Sequence, residues 1–340
     1  MFLMGLPVAL FPTACERAAA IEARDITREA ELQHLPEIEA SGLLFLENSD
    51  RYLLISDETE NRLPMVYLMN RSGHVADALV IQGLEQIDDM EAVCRGENGD
   101  IYLGCSQSLT KKGQIPDARK LFLRMEKSGA TLRVKNQVFL YELLRDVIER
   151  SGDDALNRLI PSYNNRMDIN IEGMLFKGGA IFLGLKAPKD ADRAIIIKIP
   201  DINSVLQKKR IPDKGIVLWR SLKLMDPVWN VSTGISDLCR YQDRLFILSF
   251  AGIDKYSPLR KTGLKKIACL WEYDWRQDRL SWIETFRNLQ PEGIAVCPDP
   301  QSQGALILHI VCDGEGKAAS KYFRLVLKGK TLSDGSNNDG

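Results

Sequence analysis

Several familiar signatures are missing from this sequence. Its three histidines, His34, His74 and His309, lack the spacing of metal ligands. No Gly-x-Ser-x-Gly elbow marks a nucleophilic serine. Seven cysteines are too few and too scattered for a disulfide framework in 340 residues, and none forms a Cys-x-x-Cys pair. Cys94, Cys105, Cys239, Cys269, Cys297 and Cys312 lie in or beside apolar stretches, where a free cysteine behaves as a small buried hydrophobe. Net charge is also nearly absent: 45 basic against 46 acidic residues leave −1, so no whole-molecule field draws the chain to nucleic acid or to an anionic membrane. Beyond the N-terminus, no stretch approaches the roughly 18 apolar residues of a membrane span.

The N-terminus supports two readings. Phe2 to Phe11 is mostly apolar, Cys15 follows Ala14 as at a lipoprotein processing site, and Ala18 to Ala20 would suit signal cleavage. No Lys or Arg precedes that run, however, and Pro7 and Pro12 interrupt it. Residues 1–22 are therefore read as a possible leader. The protein is periplasmic or lipid-anchored if they are one, and cytoplasmic otherwise.

What is present is a repeat. A polar residue, a small residue, apolar residues, a short turn and a strand opening on an aromatic recur along the chain. The copies begin at Ser41-Gly42, Glu91-Ala92, Glu172-Gly173, Ser236-Asp237 and Glu292-Gly293. In the first four, an aromatic (Tyr52, Tyr102, Phe182, Phe246) follows the polar residue by 10 or 11 positions, which fits two short strands and a tight hairpin. A third strand follows each time, and a fourth, more polar one fits 75–81, 131–139, 216–222 and 280–286. Four strands per repeat make a propeller blade.

The expected fold is thus an all-β propeller of five or six four-stranded blades, with the sixth placed inside the long spacing between Glu91 and Glu172. The last repeat lacks a fourth strand, and the polar segment Ile26 to Leu32 would supply it and close the ring. Leu143, Leu144, Val147 and Ile148 share one helical face before Ser151 and Gly152, which predicts a helical insertion at about 140–162. The propeller spans 23–330, and the small polar tail 331–340 is read as disordered.

Asp89-Met90-Glu91-Ala92, Asn170-Ile171-Glu172-Gly173, Gly184-Leu185-Lys186 and Pro291-Glu292-Gly293-Ile294, in that order and spacing, resemble the bacterial domain-of-unknown-function family 3616. The resemblance runs from Ile38 to Leu327. It implies a propeller more distantly similar to the gluconolactonase-like and phytase-like groups. Two residues before Glu172 the family pattern carries Asp, where this chain has Asn170.

Inner strands of a propeller begin, and second strands end, on one face, so equivalent positions of different blades converge at one mouth of the channel. Glu91, Glu172 and Glu292, with Asp89 and Asp237 nearby, should ring that mouth. Hard oxygen ligands of this kind suit Ca²⁺ or Mg²⁺, and the expected metal ligands are Glu91, Glu172, Glu292 and Asp89. The ends of second strands add Asp57, Glu58, Ser106, Gln107, Lys186 and Asp313, of which Asp57, Ser106 and Lys186, with Asp237, are candidate ligand-binding residues. Glu172, Lys186 and Glu91 are the catalytic candidates, Lys186 as a cation for a phosphate or carboxylate group.

Two alternatives stand beside this. Each Glu is equally suited to accept backbone N–H groups of a neighbouring blade and lock the ring, and Lys186 to form a salt bridge with Glu172. The basic loop of Lys111, Lys112, Arg119 and Lys120 is read as solvated, though near the same face, and Trp271, Trp275 and Trp282 as packing. Two functions follow: a metal-assisted hydrolase of a small phosphoester or lactone, or a non-enzymatic propeller holding a protein or cell-envelope ligand. The expected partners are a small anionic molecule or another protein, with no nucleic acid, and a monomer is expected.

Overall fold

The structure, a computed structural model, describes residues 19–20, 24–32, 37–57, 62–129, 131–159, 167–314 and 319–327. Its chain forms a five-bladed β-propeller. The first blade is Ala40–Leu46, Arg51–Ser56, Met65–Met69 and His74–Gln82, and the second Met90–Arg95, Ile101–Cys105, Leu121–Ser128 and Thr131–Phe139. The third comprises Asn170–Lys177, Ala180–Ala187, Ala194–Ile199 and Val217–Leu222. Gly234–Tyr241, Arg244–Gly252, Lys266–Asp274 and Arg279–Arg287 make the fourth, and Pro291–Pro298, Leu306–Cys312 and Lys321–Leu327 the body of the fifth. Within each blade successive strands pair antiparallel.

Position in the blade explains the sequence pattern. Second strands are covered on both faces and read as continuous apolar runs, as in Tyr52–Ile55, whereas the outermost strand Thr131–Phe139 alternates between buried and exposed residues. Hairpins between first and second strands turn through left-handed residues. Gly178 and Gly179, with φ of 58° and 78°, meet the demand of such a turn for two positive φ values.

The innermost strands touch their neighbours in a closed ring of five. Five apolar layers fill the seams, one between each pair of adjacent blades. The spacing between Glu91 and Glu172 therefore holds no sixth blade among the described residues. It holds the helix Leu140–Ser151 and a short turn of helix, Asp154–Asn157, whose Leu144, Val147, Ile148 and Leu156 join the layer between the second and third blades. The rest of the expected insertion, 160–162, lies outside the described residues. One helix was not foreseen: Ile202–Lys208 joins the third and fourth strands of the third blade, capped by Asp201, whose carboxylate accepts from Ser204 N at 3.0 Å.

Ring closure uses an earlier segment than expected. Arg24–Asp25 pairs with Lys321 and Tyr322, and Ala19–Ala20 with Leu325 and Val326, completing the fifth blade. Thr27–Arg28 instead runs parallel to His74 and Val75 on the first blade, and Ala30–Leu32 is a 3₁₀ turn. The closing segment thus straddles two blades, because Ile26 N bonds to Ser320 O while Thr27 N bonds to Gly73 O. A second outer-edge junction joins the first and second blades, where Val80–Gln82 pairs parallel with Thr131–Arg133. Residues 1–18, Glu58, His34 and the tail 331–340 lie outside the described residues, and so do the expectations placed on them. Among the described residues no helix is long and apolar enough to cross a membrane.

Candidate functional site

The inner strand of every blade carries a β-bulge at the same place. Register shifts occur between Ala40 and Gly42, Met90 and Ala92, Ile171 and Gly173, Ile235 and Asp237, and Pro291 and Gly293. The extra residue is in turn Ser41, Glu91, Glu172, Ser236 and Glu292. A bulge leaves one residue out of the ladder and re-aims its side chain, so five bulges on one ring turn five equivalent side chains toward the channel mouth. Neighbouring inner strands approach closely there. A Cβ on Gly173 would lie 3.0 Å from Leu238 N, and one on Gly293 2.9 Å from the Gly42 backbone.

Serine and glutamate use this position differently. Ser41 Oγ donates to Met90 O at 2.5 Å and Ser236 Oγ to Pro291 O at 2.8 Å, so the two serines lock their blades to the next one. Asp237 is also spent on the scaffold: Oδ2 accepts from Ile294 N and Oδ1 from Leu238 N, both at 2.7 Å. Glu172 and Glu292 bond to side chains instead, and the three glutamates fall into two groups.

One group centres on Lys186. Its Nζ lies 2.6 Å from Glu172 Oε1 and 3.6 Å from Glu292 Oε1. Asn170 Nδ2 donates to Glu172 Oε1 at 2.8 Å and Gln290 Nε2 to Glu292 Oε1 at 2.5 Å. Glu172 is 1% exposed, yet its Oε2 and the neighbouring Asn170 Oδ1 have no hydrogen-bond donor. Burial pulls the Lys186 ammonium down, but Glu172, Glu292 and Glu91 outweigh it and leave its pKa raised. Burial pushes Glu172 up, against the pull of Lys186, and brings Glu292 up to about 7. The salt bridge read as an alternative for Lys186 is therefore present, and it is buried.

The other group joins Asp57, Asp89 and Glu91, whose carboxylate oxygens lie within 4.8 Å of one another. Burial, then a hydrogen bond to Asp89, pushes Asp57 up to about 9. Burial and the charges of Glu172, Asp57 and Glu292 hold Glu91 well above the usual range. Asp89 is the braced member: Ser106 Oγ donates to its Oδ2, as does Ser108 Oγ at 3.2 Å, and Arg119 Nε stands 3.2 Å away. The expected metal quartet is thus divided. Asp89 and Glu91 come together with Asp57, while Glu172 and Glu292 share Lys186.

Four residues outside the sequence-based site candidates contribute: Ser108, Gln290, Arg119 of the basic loop, and Asn170 as a site partner. A signal for two of them was available, because Asp89, Asn170 and Gln290 each stand two residues before a bulged glutamate. Arg119 was read as solvated, but it pairs with Asp88 and Asp89, and Lys120 with Glu142 at 2.7 Å. His309 serves packing: buried against Tyr322, it has its pKa lowered to about 3 by burial. Of the cysteines named above, five are buried and Cys239 half-buried.

No protein-family model and no curated protein matches the chain. Several solved structures are distantly similar to it. A mannose phosphorylase from Leishmania mexicana, solved with phosphate ion, is 13% identical at a TM-score of 0.48, covering 91% of this chain and 88% of its own. A gluconolactonase from Xanthomonas campestris is 10% identical at 0.37, covering 94% and 99%. The tail fibre of Staphylococcus aureus phage P68 is 12% identical at 0.38, covering 89% of this chain, which spans about half (52%) of the fibre chain. No residue role is carried over from any of them.

Proposed function

We propose that the channel mouth is a hydrolytic site for a small phosphoester or lactone, assisted by a divalent cation, Ca²⁺ or Mg²⁺. The observation that supports this reading is the convergence of three bulged glutamates, one of which keeps a buried oxygen without a donor. Asp57, Asp89 and Glu91 offer the hard oxygen donors such an ion prefers. Their mutual repulsion, which with burial pushes Asp57 up to about 9, would be relieved by the ion.

Bound there, the cation would polarise a substrate oxygen and favour ionisation of water. The chain supplies the rest. Lys186 meets the anionic group of the substrate, exchanging the 3.6 Å contact with Glu292 for it. Glu172 Oε2 accepts a proton from the water as its oxygen adds to phosphorus or the lactone carbon, and returns it to the departing oxygen as the P–O or acyl C–O bond breaks; its raised pKa makes it a stronger base than an exposed carboxylate. Ser106, Ser108 and Arg119 keep Asp89 in place.

The test combines metal analysis of protein purified in Ca²⁺ or Mg²⁺ with an ester, lactone and phosphoester screen. Stoichiometric metal and chelator-sensitive turnover are expected. Absence of metal, with a melting temperature unchanged by chelation and no turnover, overturns the reading and leaves the non-enzymatic propeller.

A further inference from the structure

The channel-mouth face of the fourth blade gathers four exposed cations, Lys255, Lys261, Lys265 and Arg287, beside one exposed carboxylate, Asp254, whose Oδ1 accepts from Tyr256 N at 2.7 Å. Three connections meet there, 223–233, 253–265 and 288–290. Asn288 Oδ1 accepts from Lys265 N at 2.7 Å, and Asn288 Nδ2 donates to Gly263 O at 3.1 Å. Trp229 and Val231 pack on Ile253 and Leu264.

The surface is held by hydrogen bonds to a buried carboxylate. Asp226 is fully buried; its Oδ1 accepts from Val228 N at 3.0 Å and Trp229 N at 2.7 Å, and its Oδ2 from Thr285 Oγ1 at 2.8 Å. That turn leaves Val228 64% exposed, and Tyr256 on the adjoining loop is 83% exposed. Lys255 lies over the Tyr256 ring at 4.8 Å and Arg287 over Trp229 at 5.0 Å. Lys255, Lys261, Lys265 and Arg287 are exposed, and among the described residues none makes a salt bridge.

We propose that this face docks on a membrane surface containing anionic lipid, with Tyr256 and Val228 entering the headgroup zone and the four cations meeting lipid phosphates. Cations alone would suit any polyanion, and apolar side chains alone any protein. Aromatic rings capped by cations beside an exposed aliphatic side chain match the lipid–water boundary, where one layer is charged and the next apolar. The net charge of −1 does not oppose this, because fields are screened within about 8 Å at physiological salt and the local cluster decides. The inference is independent of the hydrolase reading.

Co-sedimentation with phosphatidylcholine vesicles, with and without phosphatidylglycerol, tests it. Binding is expected only to the anionic vesicles and should weaken as salt rises. Lys261→Glu with Lys265→Glu should lower partitioning by about tenfold or more. Tyr256→Ser with Val228→Asp should lower it as well, at an unchanged melting temperature, since both side chains are exposed. Equal binding to neutral vesicles, insensitivity to charge reversal, or retention on heparin without vesicle binding would each overturn the proposal.

Discussion

Lys186 Nζ lies 2.6 Å from Glu172 Oε1, and the same ammonium reaches Glu292 Oε1 at 3.6 Å. One cation thereby links the inner strands of the third and fifth blades across the fourth. The reach depends on what the fourth blade lacks. Its bulged residue is the short Ser236, and a Cβ on Gly234 would collide with the Lys186 carbonyl.

Lys186→Met should destabilise the protein by about 3–5 kcal/mol near neutral pH, because it leaves two buried carboxylates without their counter-ion. Removing the ammonium also removes what holds those carboxyls down, so their pKa values rise further. The loss should shrink in acid, where both are protonated. Urea unfolding of variant and parent at about pH 5 and 8 checks this; an equal loss at both would refute it.

The metal-free protein should lose stability as pH rises. Asp57, Glu91 and Glu292 have folded pKa values above their unfolded ones, so the folded state binds the additional protons. Their contribution is fully present below about pH 4 and is lost as pH climbs through about 7 for Glu292 and about 9 for Asp57. The unfolding free energy in chelator should fall across that range by more than about 1.4 kcal/mol, the equivalent of one pKa unit. Added Ca²⁺ should flatten the fall, and a flat profile in chelator would contradict the carboxylate assignment.

Asp57→Asn separates stability from binding. The amide keeps the hydrogen bond to Asp89 without a charge to repel it, so the metal-free variant should melt higher than the parent at about pH 8. Its Ca²⁺-induced rise in melting temperature should shrink or vanish. Calorimetry with and without Ca²⁺ reads both. A variant that melts lower yet keeps the full Ca²⁺ response would assign Asp57 to the scaffold.

Asp237→Ala should behave in the opposite way. It strips Ile294 N of its acceptor, at a cost of about 1–3 kcal/mol, while Ca²⁺ affinity stays at the parent level. Isothermal titration beside chemical unfolding distinguishes the two outcomes. A loss of affinity would return Asp237 to the binding site, where its sequence position had suggested it belonged.

Much of the architecture was legible because strands and hairpins are local. The spacing from Glu91 to Tyr102 or from Ser236 to Phe246 is fixed by two strands and a turn, and covered second strands must be apolar on both faces. That repeat placed Glu91, Glu172 and Glu292 at equivalent positions. Blade number was less legible. The stretch between Glu91 and Glu172 has the length of an added blade, and only the packing of Leu144, Val147 and Ile148 against the second and third blades resolves it into helix.

The sequence by itself determined the repeat, the face on which its carboxylates gather, and the cation that returns beside Glu172. The tertiary structure decided how those groups are shared: Asp57 is buried against Asp89 and Glu91, which pushes its pKa up, Glu172 and Glu292 divide one ammonium, and Asp237 turns to the backbone of the next blade. The physical reason is distance. Strand periodicity acts between residues two apart, whereas bulge geometry and close approach at Gly173, Gly234 and Gly293 bring together side chains as far apart in sequence as Asp57 and Glu292. Electrostatics acts on that second set of distances.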